Sequence, residues 1–227
     1  MTWFNRYVRS SIGAKHIMAV TGLLLFLFSI LHMVGHLQMF GGQALYNKYA
    51  HMLQSLWEVK WPVRAGLLAL VIIHVAVAIN LTSRNRAARP VGYAMYKASR
   101  SSVFGRTMIW TGLTLFAFLS FHILHFTVGL VGTEYFHLVD AQDRHDAYSM
   151  FVHGFQNPGI FAIYLAGMIL LAMHLGHGAA SWAQSLGLRH PKYPVDKLGR
   201  AIALVLFVGY MLPPTAVLAG IIKLPGA

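Results

Sequence analysis

Five long stretches without a charged side chain follow one another along this sequence. They cover residues 16–47, 65–83, 107–133, 147–188 and 201–222. Each can supply the roughly 20 apolar residues that cross a hydrocarbon core of about 30 Å as a helix. Backbone groups in lipid must be hydrogen-bonded within their own segment, which favours helices. The pattern predicts an all-α membrane protein of one domain, with transmembrane helices near residues 15–39, 63–84, 105–131, 157–186 and 199–222.

The composition supports a membrane location. Of the 227 residues, 57% are hydrophobic and 11% are charged, whereas soluble domains average about 25% charged residues. A soluble helical protein would need five helices that are apolar on nearly every face. We therefore expect a multi-pass protein whose partner is the lipid membrane. The first four predicted helices form the functional bundle, and the fifth, which contains no histidine, packs against them.

Basic residues are concentrated on one side of the predicted bundle. Thirteen of the 18 Lys and Arg residues fall in residues 1–15, 84–106 and 189–200, together with only one of the six acidic residues, Asp196. The positive-inside rule then predicts a cytoplasmic N-terminus and an external C-terminus in the cell inner (cytoplasmic) membrane. The same basic face suits an acidic protein partner. No basic recognition helix is present, so nucleic-acid binding is not expected.

One motif occurs twice inside these apolar runs. The pattern Thr-Gly-Leu-x-Leu-Phe-x-Phe-x-x-x-His runs from Thr21 to His32 in the first predicted helix and from Thr111 to His122 in the third. A histidine in hydrocarbon is costly and usually marks a function. Two histidines at equivalent depths predict a pair of axial ligands to one haem.

The second and fourth predicted helices contribute a further pair. His74 and His174 each lie past the midpoint of a helix that runs in the opposite direction. We therefore expect two levels: His32 and His122 nearer the outside, and His74 and His174 nearer the cytoplasm. We call these the outer pair and the inner pair. Haem held by two imidazoles has no open position and carries electrons.

Other histidines compete with these four. His36 and His125 follow the outer pair by four and three residues, and this mismatch favours His32 and His122. His177 follows His174 by three residues, and spacing alone leaves the choice between these two open. The sequence contains no cysteine, so this chain cannot hold an iron–sulfur cluster through thiolates or attach haem covalently. The expected cofactors are two non-covalent haem b groups.

Glycines occur at regular distances from the four histidines. Gly22 and Gly112 lie ten residues before the outer pair, whereas Gly66 and Gly167 lie eight and seven residues before the inner pair. Each helix thus places a glycine near the level of the other pair. Glycine permits close approach of a macrocycle, although small residues also pack membrane helices against one another.

The five helices, the four histidines and the pattern of Thr21, Gly22, His32 and Met33 resemble a known family. It is the b558-type dihaem cytochrome b, the membrane anchor subunit of succinate dehydrogenases and fumarate reductases. The resemblance implies that the outer pair holds the distal haem and the inner pair the proximal haem. The family has glycines four and thirteen residues after the fourth ligand. Gly178 and Gly187 match this for His174, so the resemblance favours His174 over His177.

The resemblance also implies partners and a substrate. A flavoprotein subunit and an iron–sulfur subunit would dock on the cytoplasmic face, and this chain would pass electrons to a quinone, either menaquinone or ubiquinone. Candidates for quinone binding or for contacts with haem propionates are Ser11, Lys15, His16 and Arg106, near helix ends on the inner side. In fumarate reductases of this type a glutamate precedes the fourth ligand by two residues, and here Ala172 stands there. Glu58 is the only acid in the loop where another family glutamate is linked to menaquinol.

Three alternatives remain open. A fumarate reductase cytochrome b would use the same scaffold with the electron flow reversed. A cytochrome b anchor of another dehydrogenase, such as a hydrogenase or formate dehydrogenase, would share the histidine pairs. A haem-free membrane transporter or anchor would use the histidines differently, but metal transport usually needs acidic or thiol partners, and no Asp or Glu lies in the predicted spans.

Overall fold

The computed structural model describes residues 2–88, 103–190 and 192–226. Within these ranges the chain forms eight α-helices and no β-strand, which confirms the all-α prediction. The helices are α1 (Trp3–Arg9), α2 (Ser11–Leu37), α3 (Gln43–Ser55), α4 (Trp57–Ala87), α5 (Val103–Ile123), α6 (Ala147–Gln156), α7 (Pro158–Ser185) and α8 (Val195–Leu218).

Five of the described segments are long and apolar enough to cross a membrane. They are Ser11–Gly41, Trp57–Ala87, Gly105–Tyr135, Pro158–Ser185 and Val195–Leu218. These segments confirm the five predicted spans, although several ends differ. The largest difference is at the second span, which begins at Trp57 rather than at residue 63. Arg89, Lys97 and Arg100, which contribute to the predicted basic face, lie outside the described residues.

Local sequence explains several helix ends. The Ser10 side chain accepts a hydrogen bond from the Gly13 N–H at 3.0 Å and caps α2. After α2 a 3₁₀ turn leads to Gly42, whose φ of +83° favours glycine. At the start of α7 the Asn157 side chain accepts from the N–H of Gly159 at 2.8 Å, and Pro158 occupies the first turn.

The helices are covered to very different extents. Helix α8 packs closely on α7, and a Cβ on Gly199 would lie 3.1 Å from the Ala179 side chain. Helix α4 contains no buried residue at all. A Cβ on its Gly66 would meet no atom within 4 Å. Helix α4 is therefore the least covered of the five membrane-spanning segments.

Two short helices, α3 and α6, lie between predicted spans, where the sequence pattern predicts no helix. They pack together at one end of the bundle, which we call the capped end. Asn47 is fully buried there, and its side-chain amide donates to Asp146 at 2.9 Å while its oxygen accepts from the Tyr148 N–H at 2.9 Å. Around this polar contact the buried apolar residues are Met39, Tyr46, Tyr148, Phe151, Val152, Phe155, Tyr164, Ala216, Val217 and Ile222.

The opposite end of the bundle carries most of the basic side chains of the described residues, and we call it the basic end. There the Arg84 guanidinium, in the last turn of α4, donates to the backbone oxygen of Arg9 at 2.8 Å. This bond joins the end of α4 to the segment that precedes α2. It shows that α2 and α4 run antiparallel.

Candidate functional site

The two histidines of the repeated motif lie side by side in the bundle. The ring centroids of His32 on α2 and His122 on α5 are 5.8 Å apart, with their planes at 82°. Each ring stacks on the phenylalanine four residues earlier, Phe28 at 5.3 Å and Phe118 at 6.4 Å. Residues four apart share a helix face, so the repeat builds the same aromatic support under both histidines.

Two further histidines surround the outer pair. Nε2 of His36 lies 3.2 Å from Nε2 of His32, and Nδ1 of His36 lies 3.0 Å from the Tyr46 hydroxyl on α3. On the other side, the Tyr164 hydroxyl lies 3.2 Å from Nδ1 of His122 and 3.1 Å from Nδ1 of His125. Tyr164 therefore links an outer-pair histidine to a neighbour that sequence spacing had set aside.

The inner pair is also assembled. The ring centroids of His74 on α4 and His174 on α7 are 6.5 Å apart, with their planes at 67°. Nδ1 of His74 lies 3.0 Å from the Thr21 hydroxyl on α2, and Nδ1 of His174 lies 3.2 Å from the Thr111 hydroxyl on α5. The threonine that opens each repeat thus contacts a histidine of the inner pair.

Hydrogen bonding indicates which tautomer the inner histidines adopt. The Thr21 hydroxyl donates to the Ile17 carbonyl at 2.8 Å, and the Thr111 hydroxyl donates to the Met108 carbonyl at 3.1 Å. A hydroxyl has one hydrogen, so each threonine accepts from the histidine Nδ1–H. This assignment from the hydrogen-bond network leaves Nε2 with a free lone pair, the state that ligates a metal.

The glycines that follow these threonines make room for the inner pair. A Cβ on Gly22 would lie 3.1 Å from Cε1 of His74, and a Cβ on Gly112 would lie 3.2 Å from Cε1 of His174. Each repeat therefore supplies a hydroxyl that orients an imidazole and a bare backbone against which its ring packs. This contact involves His174 and not His177, so the structure pairs His174 with His74.

The outer level has a different glycine environment. A Cβ on Gly167 would lie 2.6 Å from the Phe118 ring, so this glycine accommodates the phenylalanine that stacks on His122. Gly66 faces the uncovered side of α4. Of the four glycines in the sequence pattern, only Gly22 and Gly112 contact a histidine of the other pair.

Each pair supplies two imidazole nitrogens, the donor set that a bis-imidazole haem would use, and its ring-centroid separation can be compared with that of such a site. Imidazole nitrogen binds a metal at about 2 Å, so two imidazoles on opposite sides of one ion have centroids about 6 Å apart. The inner pair fits this spacing with both Nε2 lone pairs available. The outer pair fits the spacing, and ligation by His32 through Nε2 would replace its hydrogen bond to His36. In the described part of the chain no three His, Asp or Glu residues form a site for a bare metal ion.

The pairs occupy two levels of the bundle. On α2, His32 of the outer pair lies eleven positions after Thr21, which contacts the inner pair. At 1.5 Å per residue the two levels are about 16 Å apart along the helix axis. The two histidine pairs are therefore separate clusters at different depths in the bundle.

Four of the five candidates for quinone or propionate contact lie at one end of the bundle, and the fifth, Glu58, lies towards the other. Ser11, Lys15 and His16 lie in the first turns of α2, where His16 hydrogen-bonds the Tyr7 hydroxyl. Arg106 on α5 precedes Thr111 by five residues, as His16 precedes Thr21. These side chains therefore belong to the basic end. Glu58 lies exposed in the first turn of α4, towards the capped end.

A cavity of about 220 Å³ opens near the outer pair. Its lining includes His125, Glu134, Tyr135, His153 and Asn157. The His153 ring stacks on the Tyr135 ring at 4.0 Å with planes 7° apart. Sequence reasoning set His125 aside as a competing histidine and gave Tyr164 no role. For His125 the missing signal was the fold of residues 132–156, which brings Gly154 of α6 against its ring, and for Tyr164 it was the packing of α7 beside α5.

No known protein family, curated protein or solved structure matches this chain. The family resemblance therefore rests on the motif residues of the sequence alone.

Proposed function

We propose that this chain is the dihaem cytochrome b membrane anchor of a succinate:quinone oxidoreductase. The observation that carries the proposal is the duplicated contact of Thr21 and Thr111 with His74 and His174. Each repeat contributes one ligand to the outer pair and one orienting hydroxyl to the inner pair. A repeat that serves both levels is the arrangement expected of a protein that holds two equivalent cofactors.

The residues have distinct roles in this proposal. His74 and His174 would hold the inner haem b, while Thr21 and Thr111 fix their rings and tautomers. His32 and His122 would hold the outer haem b, with Phe28 and Phe118 supporting their rings. Haem bound through two histidines supplies one-electron transfer and leaves no position for oxygen.

The basic end suits the attachment of the catalytic partners. Arg6, Arg9, Arg84, Arg189 and Lys197 are among the cations there. We propose that an iron–sulfur subunit docks on this face and that a flavoprotein subunit, which oxidises succinate, binds through it. Complementary charge speeds such docking and orients it. The proposed orientation places this end in the cytoplasm and the C-terminus outside the inner membrane.

The cavity near the outer pair is the best-supported quinone site. Reduction of a quinone consumes two electrons and two protons, so its two carbonyl oxygens need nearby hydrogen-bond partners. His125, His153 and Asn157 supply polar groups, and Tyr135 supplies an aromatic face. Ser11, Lys15, His16, Arg106 and Glu58 do not line this cavity. The lining offers hydrogen-bond partners that suit the carbonyl oxygens of either menaquinone or ubiquinone.

Two related functions use the same arrangement. A fumarate reductase cytochrome b would oxidise quinol, and an anchor of another dehydrogenase would receive electrons from a different partner. A haem-free transporter is less well supported, because the hydrogen-bond partners of both pairs in the described structure are hydroxyls and imidazoles rather than carboxylates.

Affinity purification through this subunit from its native membrane tests the proposal. We expect a flavoprotein and an iron–sulfur protein to co-purify, together with succinate-dependent quinone reduction that is lost on substituting His74. Co-purification of a hydrogenase or formate dehydrogenase would assign a different partner. A haem-containing preparation without any dehydrogenase would contradict the proposed complex.

A further inference from the structure

An apolar groove lies between α7 and α8, on the far side of α7 from the haem-ligand candidates. It has a volume of about 310 Å³, and its lining includes Ala172, Gly176, Ala203, Leu204, Phe207 and Arg200. Small side chains create it. A Cβ on Gly176 would lie only 3.6 Å from the Ala203 Cβ, so the two helix backbones approach closely at its floor.

This groove faces outwards from the bundle. At 100° of rotation per residue, the α7 residues that line the groove are centred roughly 150° around the helix from His174. Leu204 is 62% exposed, and Ile169, which also lines the groove, is 46% exposed. Because α7 and α8 are both membrane-spanning segments, apolar side chains exposed at this depth contact lipid.

The end of the groove near the start of α8 is positively charged. Arg200 lines the groove, and Lys197 lies three residues earlier on the same face of α8. The nearby Arg189 is paired with Asp196 at 2.6 Å. Among the described residues neither Arg200 nor Lys197 forms an ion pair. The groove thus combines an apolar channel with two uncompensated cations at its basic end.

We propose that this groove binds an anionic phospholipid. One acyl chain would lie along Ala172, Ala203 and Phe207, and the phosphate would contact the Arg200 guanidinium. Arginine binds phosphate oxygens through paired N–H groups, and basic pockets between transmembrane helices bind anionic head groups on the cytoplasmic side. The pair of cations favours a net negative lipid over a zwitterionic one. The site is independent of haem and quinone, so it stands or falls separately from the proposed function.

Lipid retention tests the site. The purified protein is placed in nanodiscs of phosphatidylcholine containing a minor fraction of phosphatidylglycerol, then transferred to detergent, and the retained lipids are measured by mass spectrometry. We expect phosphatidylglycerol to be enriched on the wild type. Arg200→Gln should lower its affinity about five-fold, the effect of one basic residue near an anionic surface. Arg86→Gln, at the same basic end but on α4, is the matched control and should change nothing.

A second variant tests the apolar part. Ala172→Leu narrows the groove without touching a charge, and it should reduce retention of phosphatidylglycerol while the haem spectrum is unchanged. Equal retention by wild type, Arg200→Gln and Ala172→Leu would overturn the proposal. Loss of a co-purified quinone instead of a phospholipid, or loss of a dimer, would also overturn it by assigning the groove to another occupant.

Discussion

The Thr21 hydroxyl on α2 lies 3.0 Å from Nδ1 of His74 on α4. The same contact recurs at 3.2 Å between Thr111 on α5 and His174 on α7. The two contacts join equivalent positions of a repeated motif to histidines that are outside the repeat. The two copies of the sequence motif therefore make equivalent contacts with neighbouring helices.

Replacement of either threonine by valine should weaken the inner site. Thr21→Val or Thr111→Val keeps the side-chain size but removes the acceptor that fixes the imidazole. Loss of such an outer-shell partner typically costs about 10–100-fold in metal affinity. We expect selective loss of the inner haem on dilution, measured by absorbance. The inner haem that stays bound should have a shifted reduction potential.

Two further variants make this test specific. Thr21→Ser keeps the hydroxyl and should restore binding. Thr114→Val is a matched control, because Thr114 bonds only the Trp110 carbonyl and is exposed. Equal haem loss in Thr114→Val and Thr21→Val would show that the histidine contact is not responsible.

The outer pair should act as a unit. His32→Ala and His122→Ala should each remove the same one of two haems and leave the other, because both rings face one site. Reduced-minus-oxidised spectra of the two variants should superimpose. His51→Ala, an exposed histidine on α3, should retain both haems. Loss of different haems from His32→Ala and His122→Ala would refute the pairing.

The fourth ligand can be identified directly. His174→Ala should abolish the inner haem, since the His174 ring faces His74 and is held by Thr111. His177→Ala should retain two haems with unchanged low-spin spectra. The measurement is haem content per polypeptide with electron paramagnetic resonance of the oxidised protein. If His177→Ala removed the inner haem and His174→Ala retained it, the ligand would be His177, nearly one helical turn further along α7.

The capped end should lose stability in acid. The hydrogen bond from Arg144 holds the pKa of Asp140 well below its usual range against the opposing effect of burial. Burial raises the pKa of Asp146, but hydrogen bonds from Ser149, Asn47 and Gln43 more than offset this and leave the pKa lowered. A carboxyl whose pKa is lower in the folded state stabilises the fold above about pH 3.9 and loses that contribution as the pH falls.

Thermal unfolding in detergent between neutral pH and pH 3 measures this effect. We expect the wild-type Tm to fall as the pH drops below about 4. Asp146→Asn should flatten the profile, because the neutral amide can still cap α6 but has no charge to lose. Asp143→Asn, at an exposed position, should leave it unchanged. A wild-type profile that is flat to pH 3 would contradict the role given to these carboxylates.

The sequence could predict the features that depend on local pattern. Long apolar runs predict the five spans because a segment in lipid must satisfy its backbone hydrogen bonds internally, which favours a helix. The repeat identifies His32 and His122 because both occupy the same position of the motif, and so the same predicted depth.

Features that depend on the details of contacts between distant segments could not be predicted from the sequence. Helices α3 and α6 are short, and they are held by Asn47 and Asp146, which are 99 residues apart in sequence. The partner of Thr21 lies 53 residues away on α4, and its identity depends on how two helices are rotated against each other. The role of Tyr164 likewise requires α7 to be in place beside α5. The sequence predicted which histidines pair, but not the threonine and tyrosine contacts that orient them.

Haem content of the purified chain tests the central claim most directly. The account predicts two haem b groups per polypeptide, with low-spin spectra and no binding of carbon monoxide to the reduced protein. One haem per polypeptide would mean that one histidine pair is wrongly assigned. A purified, folded chain without a Soret band would contradict the account altogether.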